Sequence, residues 1–176
     1  MGILKKILGR SGQREGSPGA PEIPGEGTMP QTDTAEDKVI QTLLEDIRSA
    51  SRQILFGTDD AFTCISDGRF LERAEALPSA IEKMRYQMKD KLQIDEIKKI
   101  IPRDLGKSGE IPETIRQAGS RYELLCSNYT CVVDKVCYDY LKIRYPKAQI
   151  YCFGHTKPLV FLQDNIVRAV LMPMRK

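Results

Sequence analysis

The sequence contains no tryptophan and only one histidine among its 176 residues. It also lacks any run of about 18 apolar residues, which excludes a helix that crosses a bilayer. The first residues have no long apolar stretch with a small-residue cleavage site, so a secretory signal is not expected. The net charge is +3, from 27 basic and 24 acidic residues, and this balance does not indicate nucleic-acid binding. We therefore expect a cytoplasmic protein.

The five cysteines are an odd number, and no two of them form a CxxC pair. Cys126, Cys131 and Cys137 lie five and six residues apart, which does not match the spacing of zinc ligands. We expect reduced and mostly buried thiols, as is typical of cytoplasmic proteins. Neither a metal site nor a cofactor is predicted.

The first ten residues, MGILKKILGR, have the pattern of a short amphipathic helix. On a helix, the apolar residues share one face and the basic residues lie largely on the other. This pattern predicts contact with an anionic membrane surface or with a partner protein, so a peripheral membrane location is compatible with a cytoplasmic one. The predicted contact residues are Ile3, Leu4, Lys5, Lys6, Ile7, Leu8 and Arg10.

Residues 11–34, SGQREGSPGAPEIPGEGTMPQTDT, separate this segment from the rest of the chain. Nine of these 24 residues are glycine or proline. The segment has too few large apolar residues to offset the entropy that ordering would cost, so it is predicted to be a disordered tether. At its end, Asp33 or Thr34 is followed three residues later by an acidic residue, which predicts a helix N-cap.

Apolar periodicity over residues 35–176 predicts a globular domain of helices and strands. Helices are predicted over 35–51, 69–91, 94–101, 112–120 and 130–145. Strands are predicted over 52–58, 62–66, 122–128, 148–154, 158–164 and 166–173, with a hairpin turn at Asp164-Asn165. This order predicts an α/β domain, with α+β as the alternative, in which helices cover a single mixed sheet.

His155, Lys157 and Asp164 follow the predicted strand AQIYCFG. Their order resembles the signature of the phospholipase D superfamily, and residues 48–66 and 121–172 resemble one half of that fold. The resemblance implies a phosphodiesterase in which the imidazole attacks phosphorus, the lysine neutralises phosphoryl oxygens and the carboxylate supports the histidine. Because one signature is present, such an enzyme would be a homodimer.

Six residues, rather than the four of the superfamily, separate Lys157 from Asp164. In this the chain looks more like the degenerate half-domains that serve as effector domains of some archaeal transcription regulators. The resemblance to these regulators implies binding of a small molecule without hydrolysis.

The last residues, KPLVFLQDNIVRAVLMPMRK, also resemble the closing strands of DNA sliding clamps. The preceding segment, 132–154, would supply the helix and strand that come before them. This second resemblance implies ring-shaped oligomers and salt-sensitive association with DNA.

The predicted function is that of a non-enzymatic regulatory or interaction domain, tethered by its N-terminal helix. Its expected partner is a small-molecule ligand or another protein, nucleic acid is not expected, and a homodimer stays open. No catalytic residue is favoured. Two alternatives remain, a dimeric phosphodiesterase that uses His155, Lys157 and Asp164, and a sliding-clamp-like module.

Overall fold

A computed structural model of the chain describes residues 34–59, 62–85, 92, 99, 101 and 109–175. These residues fall within one compact unit, Asp33–Lys176. The predicted amphipathic helix at 1–10 and the predicted tether, apart from Thr34, lie outside the described residues. Most of the predicted helix at 94–101 lies outside them as well.

The described residues form three helices, which are α1 at Ala35–Ser49, α2 at Ser79–Arg85 and α3 at Lys135–Arg144. Helix α1 begins with the predicted capping box, and Thr34 is its N-cap. The Thr34 hydroxyl accepts a hydrogen bond from the Asp37 amide at 3.1 Å, and the Asp37 carboxylate accepts one from the Thr34 amide at 3.1 Å. Two free amides of the first turn are satisfied in this way. None of the described helices is long and apolar enough to cross a membrane.

Nine strands are described, and all of their pairings are antiparallel. The strands are β1 Leu55–Asp59, β2 Phe62–Ser66, β3 Phe70–Ala74, β4 Thr114–Ala118, β5 Arg121–Leu125, β6 Thr130–Asp134, β7 Gln149–Tyr151, β8 Leu159–Gln163 and β9 Ile166–Leu171. Six of them form a sheet in the order β1-β2-β3-β9-β8-β7, and the other three form a sheet in the order β4-β5-β6. The predicted mixture of helices and sheet is confirmed, in its α+β form.

The prediction of a single mixed sheet is corrected to two antiparallel sheets. Parallel neighbours need long crossover connections. Here most neighbouring strands follow one another through short turns, and β3 and β9, which are distant in sequence, also pair antiparallel. Each sheet is therefore assembled from meanders.

Three segments that were predicted as helices contain strands instead. Residues 112–120 contain β4, because Gly119, at a φ of 63°, closes a tight turn that pairs β4 with β5. Residues 69–91 begin with β3, and residues 130–145 begin with β6. The start of 130–145 is rich in β-branched residues, which favour a strand. Helix α3 starts only after Asp134, whose carboxylate accepts a hydrogen bond from the Cys137 amide at 3.0 Å.

The main core lies between the helices and the two sheets. Helix α1 buries one stripe of apolar side chains against it, formed by Ile40, Leu43, Leu44 and Ile47.

Arg69 connects three parts of the chain through ion pairs at the edge of this core. Its guanidinium contacts the carboxylates of Asp46, Asp67 and Asp134 at 2.6, 2.6 and 3.1 Å.

A fully buried carboxylate, that of Glu72 on β3, lies against the end of α3. The hydroxyl groups of Tyr140 and Tyr145 both donate hydrogen bonds to it, the second at 2.8 Å. The Nε of Arg144 donates a third hydrogen bond at 3.1 Å. The negative charge is thus paired with one cation and two neutral donors, as a buried carboxylate requires.

The residues after β9 link the two sheets. The Met172 amide donates to the Arg69 carbonyl at 2.7 Å, beside the six-stranded sheet. Two residues later, the Met174 amide donates to the Val132 carbonyl at 2.8 Å, and Pro173 pairs with Val133. The residues after β9 therefore run along the edge of β6 that does not pair with β5.

Candidate functional site

A cleft opens where β6, the residues after β9 and the loop after β7 meet. Its volume is about 520 Å³. Strand β6 supplies its floor, and the loop after β7 brings in the single histidine of the chain. The lining residues include Thr130, Val132, His155, Thr156, Met172 and Met174, together with Pro173 and Arg175.

The alternation of side chains along β6 explains how the floor is made. Thr130 and Val132 line the cleft. Cys131 and Val133 point to the opposite face, where both belong to the main core and are fully buried. A strand of five residues thus serves both the cleft and the core, because successive side chains leave opposite faces of a sheet.

The lining combines an apolar surface with cationic and hydroxyl groups. Met172 and Met174 are each 38% exposed, which is unusual for large apolar side chains in this domain. Arg175 supplies a permanent positive charge, and Thr130, Thr156 and His155 supply polar groups. Among the described lining residues there is no carboxylate. The cleft therefore suits a molecule that carries both an apolar body and a negative charge.

The three residues of the phospholipase-D-like pattern do not meet in space. His155 and Lys157 are exposed in the loop before β8, whereas Asp164 lies in the turn after it. The five residues of β8 span roughly 16 Å at about 3.3 Å per residue. Asp164 instead borders a separate depression with Lys147 and Gln149.

Asp164 and Asn165 form the turn between β8 and β9. Their φ angles are 53° and 58°, and Gln163 pairs with Ile166 across them. Two consecutive residues with positive φ are the mark of a type I′ hairpin turn. The hairpin predicted at this position is confirmed, and the position of Asp164 in it accounts for its distance from His155.

Of the eight described lining residues, only His155 was a candidate site residue from the sequence. Five of the other seven carry most of the character of the cleft, namely Thr130, Val132, Met172, Met174 and Arg175. The first two lie in the segment that was predicted as a helix, so the alternation that exposes them to the cleft was not recognised. The other three follow β9. Met172 falls within the predicted strand 166–173, whereas Met174 and Arg175 lie beyond its predicted end. The sequence feature that indicates this part of the cleft is a pair of methionines that flank a proline and precede an arginine.

Cys131 and Cys152 belong to the main core behind the cleft, and Cys126 packs against it. None of the five cysteines, all of which lie in the described part of the chain, forms a disulfide, and Cys126 alone among them is partly exposed. The Cys131 thiol donates a hydrogen bond to the Gly154 carbonyl, with a sulfur–oxygen distance of 3.7 Å. Among the described residues, no group of three or more histidine, cysteine, aspartate or glutamate side chains could hold a metal ion.

Three hydrogen bonds to its backbone groups fix the position of Cys152. The Tyr129 hydroxyl donates to the Cys152 carbonyl at 2.6 Å. The Glu110 amide donates to the same carbonyl at 2.8 Å, and the Cys152 amide returns a hydrogen bond of 2.8 Å to the Glu110 carbonyl. The segment that leads from β7 to the loop of His155 is thus held by Tyr129 and Glu110.

Comparison of this chain with protein-family models, with curated proteins and with solved structures found no match. The two resemblances noted in the sequence therefore have no counterpart among these comparisons. The cleft and its residues are the basis on which a function can be assigned.

Proposed function

We propose that this chain is a non-catalytic binding domain with a regulatory or interaction role, and that its ligand is a small amphipathic anion. The ligand occupies the cleft beside β6, with its apolar body on Met172 and Met174 and its negative group near Arg175 and His155. The observation that carries the proposal is a cleft of about 520 Å³ lined by apolar side chains and one arginine. Ligand sites in proteins typically measure about 300 to 1,000 Å³ and combine these features.

The apolar half of the cleft favours a flexible or variable ligand body. Methionine side chains are unbranched and polarisable, so they adapt to irregular shapes. Covering the exposed parts of Met172 and Met174 would remove apolar area from water, which favours binding at roughly 25 cal/mol per Å² before the cost of association. The two methionines therefore provide affinity with little demand for one exact shape.

The polar half of the cleft favours a carboxylate or a phosphate. A guanidinium binds such groups with two parallel hydrogen bonds. No described lining residue is acidic, so none of them offsets the charge of Arg175. The distance along β8 between His155 and Asp164 supports a binding role over hydrolysis.

The experiment uses decanoate as the probe and the single histidine as the reporter. Because the chain has one histidine, the imidazole protons of His155 give a proton NMR signal without ambiguity of assignment. Titration with decanoate should shift this signal to saturation, and calorimetry should give one site per chain.

Arg175→Gln should weaken decanoate binding about tenfold, which corresponds to about 1.4 kcal/mol. Lys157→Gln is the matched control, since Lys157 is an exposed cation in the same loop as His155 but does not line the cleft. Equal losses in the two variants, or a His155 signal unmoved by millimolar decanoate, would overturn the proposal.

A further inference from the structure

Strand β4 forms one edge of the three-stranded sheet, and among the described residues its one neighbour is β5. The other sheet edges are contacted by further segments. Leu92 contacts β1, Glu110 lies beside the end of β7 and Met174 contacts β6, each through a backbone hydrogen bond of 2.8 Å. Strand β4 is therefore the edge at which the described part of the chain leaves backbone groups for a partner.

The side chains of β4 are exposed on both faces of the sheet. The exposed residues are Thr114, Ile115, Arg116 and Gln117. Ile115 is 44% exposed, although Leu124, which lies opposite it on β5, is fully buried. The apolar face that covers the core thus extends to the edge of the sheet and ends there in an exposed isoleucine.

Hydrogen bonds at the two ends of β5 show which of its residues face β6. The Ser120 carbonyl accepts a hydrogen bond from the Lys135 amide at 3.1 Å, and the Cys126 amide donates to the Tyr129 carbonyl at 2.9 Å. Successive residues of a strand point their amide and carbonyl groups to opposite sides. The even-numbered residues of β5 therefore face β6, and its odd-numbered residues face β4.

The same alternation fixes which backbone groups of β4 point outward. The odd-numbered residues of β5 lie opposite residues 114, 116 and 118 of β4. The amide and carbonyl groups of Ile115 and Gln117 therefore point away from β5, toward the edge of the sheet. A second strand can pair with these groups without disturbing the pairing of β4 with β5.

Two copies of β4 fit each other in one symmetric register. A two-fold axis perpendicular to the sheet pairs them antiparallel and makes the contact self-complementary. With the axis at Ile115, the Ile115 amide of each copy donates to the Ile115 carbonyl of the other. Glu113 then lies opposite Gln117 of the second copy, and Thr114 lies opposite Arg116.

Charge selects this register over its neighbour. With the axis at Arg116, the two guanidinium groups would lie directly opposite each other, and like charges in this position are destabilising. With the axis at Ile115, no like charges are opposed. The edge also carries one acid, Glu113, and one base, so two copies do not repel each other through net charge.

We propose that this chain forms a homodimer in which β4 pairs antiparallel with β4 of a second copy, with Ile115 at the two-fold axis. The two three-stranded sheets become one sheet of six strands. The outward backbone groups, the exposed isoleucine and the balanced charges all complement themselves, which favours a second copy over an unrelated peptide as the partner.

The dimer places its two clefts on one side of the joined sheet. Paired residues of neighbouring strands share a face, so Arg116 on β4 lies on the same face as Val132 on β6, which lines the cleft. The two-fold axis keeps this face, and at about 4.8 Å between strands the two β6 strands lie about 24 Å apart. Binding of two ligand groups on one surface rests on the function proposed above, whereas the dimer itself does not.

Sedimentation equilibrium of the full chain tests the dimer directly. Two short strands bury less than the roughly 1,600 Å² of a standard stable interface, so we expect a Kd of about 10 to 100 µM. The average mass should rise from that of one chain toward that of two as the protein concentration increases through this range. A mass of one chain at about 500 µM, well above the expected Kd, would overturn the proposal.

Ile115→Lys tests the position of the axis. It brings two ammonium groups opposite each other and should weaken dimerisation at least about tenfold. Ile111→Lys is the matched control, because it makes the same change at a residue that is 57% exposed and lies outside β4. In the dimer the two introduced lysines of this control would be about 26 Å apart, so dimerisation should persist. Equal losses in the two variants would contradict the proposed register.

A mixing experiment separates loss of pairing from loss of folding. Ile115→Glu should also fail to dimerise alone, whereas an equimolar mixture with Ile115→Lys should form mixed dimers, because opposite charges then face each other. Misfolded variants cannot restore each other in this way. A mixture that stays monomeric while the unaltered chain dimerises would exclude pairing at Ile115. Failure of decanoate to bind would overturn the function proposed above and would leave each of these results unchanged.

Discussion

At the scale of single residues, Glu72 shows how strongly one buried carboxylate organises this domain. It accepts hydrogen bonds from Tyr140, Tyr145 and Arg144 and thereby joins β3 to the end of α3. Its partners lie far from it in sequence, so no local pattern identifies it. In the sequence it falls within a stretch that was predicted as a helix, where a glutamate is expected to be solvated.

Glu72→Ala should therefore lower the free energy of unfolding by about 3 kcal/mol, because it removes the acceptor of the buried Tyr140 hydroxyl and the buried ionic partner of Arg144, which keeps only its contacts with Glu36 and the Ala76 carbonyl. The measurement is urea unfolding at neutral pH. Glu75→Ala is the control, since Glu75 forms a surface ion pair with Arg168 at 2.9 Å and its side chain is 71% exposed. Exposed pairs contribute up to about 1 kcal/mol. Similar losses in both variants would contradict this account of Glu72.

The buried tyrosines predict how stability depends on pH. Burial raises the pKa of Tyr138 to about 12. Burial, followed by the neighbouring Glu72 carboxylate, raises the pKa values of Tyr140 and Tyr145 well above the usual range. A group whose pKa is raised on folding stabilises the fold below its unfolded pKa, which is about 10 for tyrosine.

The stability from these tyrosines should be fully present below about pH 10 and should fall progressively as the pH rises toward 12. Urea unfolding at a series of pH values measures the fall. Absorbance of tyrosinate at 295 nm should increase in parallel with unfolding. Tyr138→Phe should make the fall less steep. If all seven tyrosines ionise near pH 10 while the circular dichroism stays native, the prediction is wrong.

At the scale of elements, strands bounded by clear turn signals were predictable from the sequence. Strands β5, β7, β8 and β9 and the Asp164-Asn165 hairpin all lie where apolar runs meet turn residues. Strand β4 was not predictable in this way. Its residues Thr114–Ala118 alternate little and are largely exposed, so pairing with β5, rather than burial, decides their conformation.

The β8–β9 turn provides a test at this scale. Asn165→Val should lower the free energy of unfolding by about 1 to 2 kcal/mol, because a β-branched residue does not tolerate a φ of 58°. Asn165 is exposed, so no packing loss is added. Asn165→Gly is the control and should change stability by less than about 0.5 kcal/mol, since glycine adopts positive φ freely. Thermal or urea unfolding distinguishes the two, and equal effects would argue against a type I′ turn.

The cleft was harder to predict than the strands, because its walls come from three separate parts of the chain. His155 was noted for its rarity, and the structure does place it at the cleft. Its proposed neighbours Met172, Met174 and Arg175 approach it only because the residues after β9 pair with β6. The paired positions lie about 40 residues apart in the sequence, so local periodicity does not predict their contact.

At the scale of the whole molecule, the N-terminal segment remains a prediction from sequence. We propose that residues 1–10 attach the folded domain to an anionic membrane surface. The full chain should bind vesicles that contain phosphatidylserine, bind neutral vesicles weakly, and lose affinity as salt is added.

Lys6→Gln should weaken vesicle binding about fivefold, since each basic residue near an anionic surface contributes about 1 kcal/mol. Arg14→Gln is the control, because it removes the same charge from the predicted tether. Sedimentation with vesicles gives both affinities. Loss of binding in the control as well would indicate a general charge effect, and no vesicle binding by the unaltered chain would leave a protein partner as the expected contact.

The pairing of β3 with β9 has a consequence for how the chain is made. Phe70 lies opposite Leu171, and Leu71 lies opposite Val170, so the six-stranded sheet closes across about 100 residues of sequence. Contacts of such long range slow folding. While a ribosome is still synthesising the chain, β3 is an open edge with buried-type side chains, which favours pairing with other chains. The time between the synthesis of β3 and that of β9 therefore sets how long each nascent chain presents this edge.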